Sequence, residues 1–382
     1  MTSPHIVILG SGFAALTAVR ELRRRNRSLS ITLVAPRAEL TYFPSLIWVP
    51  AGLRRGDDLR IDIKGFLAEH DVTFHPGSVT GLADGGRTVL TDNGEIRNDA
   101  LLIASGGRFL KGMPGIEHAL TLCEGAPAAE AIRERLAGLD QGTVAFGFGT
   151  NPKEQGAMRG GPMFELLFGT DTLLRRQGRR ERIRLVFFHA AQQPGKRLGD
   201  RAVTGLLREM QKRGIATHLG HKITGFDADR VRTEGGDVPA DLILFMPGMT
   251  GPAWAANAGL PLSEGGFFKA DAHCQVAGAD KVYVAGDSGS YPGPDWLPKQ
   301  AHVADLQAKT AVTNLLRALD GQPASARFRP ELVCIVDTLD RGILVYRNEK
   351  RALMLPPSRI FHWAKRFFEW QYLRPYTRAR RA

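Results

Sequence analysis

Residues 5–9, His-Ile-Val-Ile-Leu, form a short apolar run rich in β-branched side chains. The pattern then changes period: Ala14, Ala15, Ala18, Val19 and Leu22 recur at helical spacing, and a second strand-like run follows at 30–35. This predicts a β-turn-α-β unit at the start of the chain. Two further buried-strand patterns end on small residues, Leu101-Leu102-Ile103-Ala104-Ser105-Gly106-Gly107 and Lys281-Val282-Tyr283-Val284-Ala285-Gly286-Asp287. The second leads through a loop into a predicted helix over 300–316. Between them, Thr143-Val144-Ala145-Phe146 and Gly147-Phe148-Gly149 begin another α/β unit, with its helix delayed to about Pro162. In the tail, 332–336 and 343–346 read as two strands joined by Asp340-Arg341-Gly342. Ser358 then caps a helix that is expected to run to about Leu373 and end at Pro375.

Composition narrows the class. With 382 residues the chain is long enough for two or three domains, and 43% apolar with 24% charged residues are globular values. No apolar run approaches the roughly 18 residues needed to cross a bilayer, and the strand at His5 leaves no room for a signal peptide, so a cytoplasmic protein is expected. Cys123, Cys274 and Cys334 are far apart and not in metal-ligand spacing. Their roles are redox chemistry or packing, and no metal is expected.

Charge matters through its location. The formal net charge is +12, and residues 341–382 hold eleven Lys and Arg against two Glu, a net +9. A nearly neutral body with a basic, aromatic tail argues against nucleic acid and for an anionic membrane surface. On the predicted tail helix, Ile360, Trp363, Ala364, Phe367 and Gln371 form one stripe, with Phe361, Phe368 and Tyr372 beside it. Arg359, Lys365, Arg366 and Glu369 fall on the flank. Such a helix suits a membrane interface; packing on its own domain, or in a homo-oligomer, is the alternative.

The turn after the first strand, Gly10-Ser11-Gly12-Phe13-Ala14-Ala15, reads G-x-G-x-x-A. Its first Gly makes the tight turn, its second admits a pyrophosphate to the backbone, and Ala15 lets the helix pack closely. Free N–H groups at the helix start favour the phosphates. Dinucleotide binding is expected here. The middle unit, by contrast, has a long polar turn from Thr150 to Gly161 where a nicotinamide dinucleotide would need a Gly-rich turn running straight into a helix.

The order G-x-G-x-x-A, Ala-Ser-Gly at 104–106 and Ala-Gly-Asp at 285–287 resembles that of two-dinucleotide-fold flavoproteins, which implies FAD. In that reading Ser105, Gly106 and Gly286 lie at the cofactor, Asp287 accepts hydrogen bonds from its ribityl chain, and the helix after Lys299 points its positive end at the flavin. Asp287 as a simple helix cap is the alternative.

Taken together, the segments HIVILGSGFAAL (5–16), TYFPSLIWVPAG (41–52), LLIASGG (101–107), GAMRGGPMFE (156–165), VYVAGD (282–287), LPKQA (297–301), ELVCIVDTLDRG (331–342) and FHWAKRFFEW (361–370) resemble the sulfide:quinone oxidoreductase family. Its relatives include type II NADH dehydrogenases and the flavoprotein of flavocytochrome c sulfide dehydrogenase.

The resemblance implies an α/β protein with two Rossmann-like dinucleotide-binding domains and a C-terminal segment bearing an amphipathic helix. The expected divisions are 1–110 with 267–322 for FAD, 111–266 for the second Rossmann-like domain, and 323–382 for the redox and membrane segment. It further implies electrons passing from sulfide through FAD to a quinone, on the cytoplasmic inner face of the cell membrane. The alternatives are another donor, NADH or a protein partner, or a redox-inactive FAD module.

By the same resemblance, Cys334 matches one redox cysteine, Cys123 an accessory cysteine, and Lys299 a flavin contact; Glu165, three residues after Pro162, reads as stabilising its helix N-terminus, with an acid/base role beside the flavin as the alternative. Cofactor contacts are implied at Pro44 and Val79. The second redox cysteine is replaced by Arg159, so a sulfur bridge to Cys334 would need Cys123 or Cys274, and the guanidinium would hold an anionic sulfur species or lower the thiol pKa. The ribose-binding carboxylate is replaced by Ala35-Pro36-Arg37, leaving Arg37 and backbone for the adenine end. No cysteine stands near Tyr42-Phe43-Pro44 to tether the flavin, so FAD is expected to be noncovalent.

Overall fold

The apolar run at the start of the chain becomes the middle strand of a five-stranded parallel sheet. In the computed structural model, which describes residues 3–377, this sheet has the order Val282–Val284, Ala100–Ile103, His5–Leu9, Ser30–Ala35, Thr73–Pro76. Ile6, Val7, Ile8 and Leu9 are all buried, because helices cover one face and a three-stranded meander of residues 79–97 covers the other. Two-sided burial removes the polar alternation of a half-exposed strand. The helices Phe13–Arg25 and Ala301–Leu319 pack together on the first face, so the two ends of the proposed unit 1–110 and 267–322 share one core. The later helix runs three residues past the expected Leu316.

A second parallel sheet has the order Ala119–Leu120, Leu242–Met246, Gly142–Phe148, Ile183–His189, Ala216–Leu219. Alternate residues divide between its faces. Val144, Phe146, Leu185 and Phe187 meet the helices Ala126–Ala137, Gly161–Arg176 and Asp200–Lys212, whereas Ala145, Val186 and Phe188 meet a small antiparallel sheet of residues 223–239. The helix after Gly142–Phe148 begins only at Gly161, as the polar turn predicts.

The tail forms a third layer. Its two expected strands are longer than their apolar runs, Glu331–Asp337 and Gly342–Asn348, and a third, Ala352–Ser358, pairs with the second. Pro356 and Pro357 hid that strand from the sequence pattern; it is an edge strand, where missing N–H donors are tolerated. Leu332, Val336, Ile343 and Val345 join the core under the second sheet's helices.

The last helix, Arg359–Thr377, opens with the Ile360 N–H donating to Ser358 Oγ at 3.2 Å. Pro375 does not end it. In the final turn a proline removes only one hydrogen bond, and the helix continues through Tyr376, which is buried. The expectations for Arg378, Arg380 and Arg381 lie outside the described residues. No helix among the described residues is long and apolar enough to cross a membrane.

Candidate flavin and thiol cavity

The carboxyl ends of the first sheet's strands open into a cavity of about 2130 Å³ that reaches the second sheet's first long helix and the tail. Gly10 has φ +109°, and a Cβ there would lie 2.4 Å from the Ala104 carbonyl oxygen, so the turn is closed against the neighbouring strand. Gly12 faces nothing within 4 Å. Its helix starts without a side-chain cap or an acidic residue, leaving its N–H groups free for an anion. Gly10, Ser11, Gly12, Phe13 and Ala14 line the cavity, whereas Ala15 is buried behind them in the helix packing.

Further along the wall stand Pro44, Val79, Ser105, Gly106, Gly286 and Asp287, and then Lys299 and Gln300. Gln300 Oε1 is buried with no partner, an orphaned acceptor. An open glycine cradle, an uncapped helix end and an unsatisfied acceptor in one elongated cavity fit FAD.

One cofactor contact differs from expectation. Arg37 is exposed and does not line the cavity; Glu39, two residues on, does. The chain turns after Ala35, and Ser11 Oγ donates to the Glu39 carbonyl at 2.8 Å, bringing that residue back to the wall. Its carboxylate also holds Arg60 at 2.9 Å.

At the inner end, Asp287 forms an ion pair with Arg159 rather than capping a helix. Lys299 is half-buried. Its ammonium donates to the Gly289 carbonyl at 2.9 Å and sits 3.8 Å over the Phe267 ring. Burial lowers its pKa to about 8, with Asp287 and Glu154 opposing and Arg197 and Arg159 adding to the shift.

Cys334 is half-buried in the same wall, close enough to the helix Gly161–Arg176 that a Cβ on Gly161 would lie 3.4 Å from its Sγ. Burial pushes this thiol up to about 12; Glu165 adds to the shift and Lys365 opposes it. Arg159 therefore does not prepare a Cys334 thiolate. Its electrostatic influence falls on Cys123, which also lines the cavity and is likewise raised to about 12 by burial, with Thr121 and Arg159 opposing. Cys274 is buried in the first sheet's core, away from the cavity, so it is no partner for Cys334. All three thiols are free.

Glu165 stands behind Cys334. Burial raises its carboxyl to about 7, with Lys365 of the tail helix opposing as its ion-pair partner. Two more contacts hold the tail helix by its inward face, and a third fixes the carboxylate that one of them uses. His362 Nδ1 lies 2.7 Å from Asp337 Oδ2, Trp48 Nε1 donates to Asp337 Oδ1 at 3.0 Å, and Arg54 grips Glu369 through two bonds of 2.8 Å. Glu369, expected on the flank, is thus buried. The sequence reading did not pick out Lys365, Asp337 or His362 as site residues. Positions 362, 365 and 369 share one helical face, and that spacing of polar residues opposite the aromatics is the signal that marks them.

The outward face is apolar. Ile360, Trp363, Phe367, Phe368 and Trp370 are each more than half exposed, at 73%, 61%, 54%, 52% and 55%. Phe368, Gln371 and Tyr372 also line the cavity, together with Arg20, His302 and Asp305.

The pattern of one protein family, pyridine nucleotide-disulphide oxidoreductase, matches residues 4–308. The chain is 23% identical to a sulfide-quinone reductase of Aquifex aeolicus over 354 residues, covering 87% of this chain and 81% of the relative. It is 26% identical over 351 residues to the mitochondrial sulfide:quinone oxidoreductase of Dictyostelium discoideum, covering 87% and 75%. The crystal structure of the Aquifex aeolicus sulfide:quinone oxidoreductase superposes with a TM-score of 0.90 at 20% identity, over 99% of this chain and 92% of that one. Its likeness concerns the fold.

Proposed function

Given that the chain belongs to the pyridine nucleotide-disulphide oxidoreductase family and is an FAD-dependent oxidoreductase, we propose that it oxidises a small sulfur donor and reduces a quinone at a membrane surface. Bound FAD supplies a carrier for two electrons between donor and acceptor. One observation carries the reading above the others: a single cavity joins the Gly10–Gly12 cradle, the Cys334 thiol and the inner edge of a helix whose outer face is apolar.

The residues then divide the work. Gly12 and the helix N-terminus hold the pyrophosphate, with Ser105, Gly106, Gly286, Pro44 and Val79 along the cofactor and Glu39 nearer the ribose end than Arg37. Lys299 places a half-buried cation beside Asp287. Cys334, protonated at neutral pH, needs a base to react; Glu165, near its own midpoint at pH 7, is the neighbouring group able to take that proton. The membrane acceptor enters beside Phe368 and Tyr372, the tail-helix rings that line the cavity. The tail helix docks monotopically on the cytoplasmic face.

Anaerobic titration of the holoprotein with sulfide tests this directly. The expected result is bleaching of the flavin that reverses when a quinone is added. Cys334→Ser is expected to keep its FAD and lose donor oxidation; unchanged turnover in that variant returns Cys334 to packing.

NADH and NADPH are expected to reduce the flavin poorly. The strand Gly142–Phe148 has no helix N-terminus at its end, because residues 149–160 intervene, and a Cβ on Gly147 would lie 2.4 Å from the Phe188 ring. That end of the sheet is filled by aromatic packing, leaving no phosphate cradle. Rapid stoichiometric bleaching by NADH in a stopped-flow experiment overturns this and moves the protein to an NADH-type quinone reductase.

A further inference from the structure

The inner end of the cavity carries more positive charge than a neutral or singly charged sulfide needs. Arg159, Lys299 and Arg197 all line it; burial lowers the Lys299 pKa, and Arg197 and Arg159 add to the shift. Asp287 is the one side chain that accepts a hydrogen bond from Arg159 among the described residues. The Arg159 side chain is 24% exposed and lines the cavity, and a guanidinium carries five donors. Immediately after it, the 16-residue helix Gly161–Arg176 starts at Gly160 with no side-chain cap and no acidic residue in its first turn, and Gly160 and Gly161 both line the cavity. Cys334 Sγ stands over Gly161. Arg159, an uncapped helix end and the half-buried Lys299 thus share one cavity with the Cys334 thiol.

We propose that this end of the cavity binds a sulfane-sulfur oxyanion of the thiosulfate class, with Arg159 gripping its oxygens and the terminal sulfur directed to Cys334. The inference rests on the reading that a sulfur donor is oxidised here and names its class. A planar guanidinium pairs with oxyanions through two parallel hydrogen bonds, which a spherical hydrosulfide cannot accept. The anion competes with Asp287 for Arg159, so the ion pair of the free site becomes the counter-ion of an occupied one.

Thiosulfate is the probe, and calorimetry on the FAD-loaded protein is the first readout. Native protein is expected to bind one thiosulfate per chain, saturably and more weakly at high salt. Arg159→Gln is expected to weaken binding about tenfold or more, as loss of a charge-assisted pair requires, and Arg159→Lys to recover part of it. Arg175→Gln, a surface arginine on the same helix's far end, serves as the control and leaves binding unchanged.

The second readout places the ligand. Bound thiosulfate is expected to slow alkylation of Cys334 by iodoacetamide, followed by peptide mass spectrometry, and to lose that protection in Arg159→Gln. The FAD content of each variant shows that its cavity is intact. Equal thiosulfate affinity in native and Arg159→Gln protein, or unprotected Cys334 in the saturated complex, overturns the proposal. If sulfide still bleaches the flavin and quinone restores it while thiosulfate fails to bind, the donor class is wrong and the sulfur-to-quinone reading stands. Bound thiosulfate with no reduction by any sulfur donor has the opposite meaning.

Discussion

Gly12→Val is expected to yield a folded, soluble and colourless protein. Gly12 has φ −87° and ψ −167°, an extended conformation open to any residue, and a Cβ there meets nothing within 4 Å. The new side chain therefore has no neighbour to displace in the protein. It projects into the mouth of the cradle, where the pyrophosphate must approach the backbone. The cost to the fold is that of a poor N-cap residue, about 1 kcal/mol, whereas the cost to the cofactor is its principal anchor.

Gly10→Ala is the contrasting variant. Its φ of +109° and the 2.4 Å approach to the Ala104 carbonyl oxygen strain the sheet itself, so that protein is expected to lose stability as well as colour. Absorbance of the purified proteins near 450 nm and thermal melting by circular dichroism separate the two. In the native protein, acid precipitation is expected to release yellow FAD into the supernatant. A pellet that stays yellow would falsify noncovalent binding, and a yellow Gly12→Val protein would remove the cofactor from this cradle.

Four of the first sheet's five strands were legible because they are buried apolar runs, three of them leading into glycines; the edge strand Thr73–Pro76, partly exposed, was not. His5–Leu9 reads as a continuous apolar run for that reason, and Gly10-Ser11-Gly12 follows it directly. Legibility failed where partners are distant in sequence. Arg159 meets Asp287 across 128 residues, Lys365 meets Glu165 across 200, and Arg54 meets Glu369 across 315. No local pattern specifies such pairs.

Arg37 shows a smaller failure. Periodicity located the end of the strand at Ala35, but only the return of the following turn to Ser11 decides that Glu39, not Arg37, faces the cavity. The third tail strand was hidden by its own prolines, residues that breach the strand pattern yet are tolerated at a sheet edge.

The tail helix bears on the second large expected effect: replacing Trp363 and Phe367 together with serine is expected to release the protein from anionic vesicles while leaving its fold and FAD content unchanged. Cutting the chain at Pro357 is a poorer experiment. It would strip Lys365 from buried Glu165, His362 from buried Asp337 and Glu369 from Arg54, leaving charges buried without partners. The outward residues carry no such burden, since Trp363 is 61% and Phe367 54% exposed.

Inserting each ring into the interface is worth about 1.5–3 kcal/mol, so losing two weakens partitioning by about two orders of magnitude or more. Arg359 and Arg374 are exposed on the same helix, and Arg366 and Arg374 lie 4.9 and 5.4 Å over the Trp363 and Trp370 rings. Each basic residue near an anionic surface adds about 1 kcal/mol, a contribution that salt screens and ring insertion does not share.

Co-sedimentation with vesicles containing or lacking anionic lipid, at low and high salt, therefore resolves the two contributions. Native protein is expected to bind anionic vesicles tightly at low salt and to retain part of that binding at high salt. The double variant is expected to keep only the salt-sensitive part. Equal binding by the two proteins would show that this face meets something other than lipid. A double variant that loses the membrane but still reduces a water-soluble short-chain quinone would show that the helix delivers the acceptor without forming the place where it is reduced.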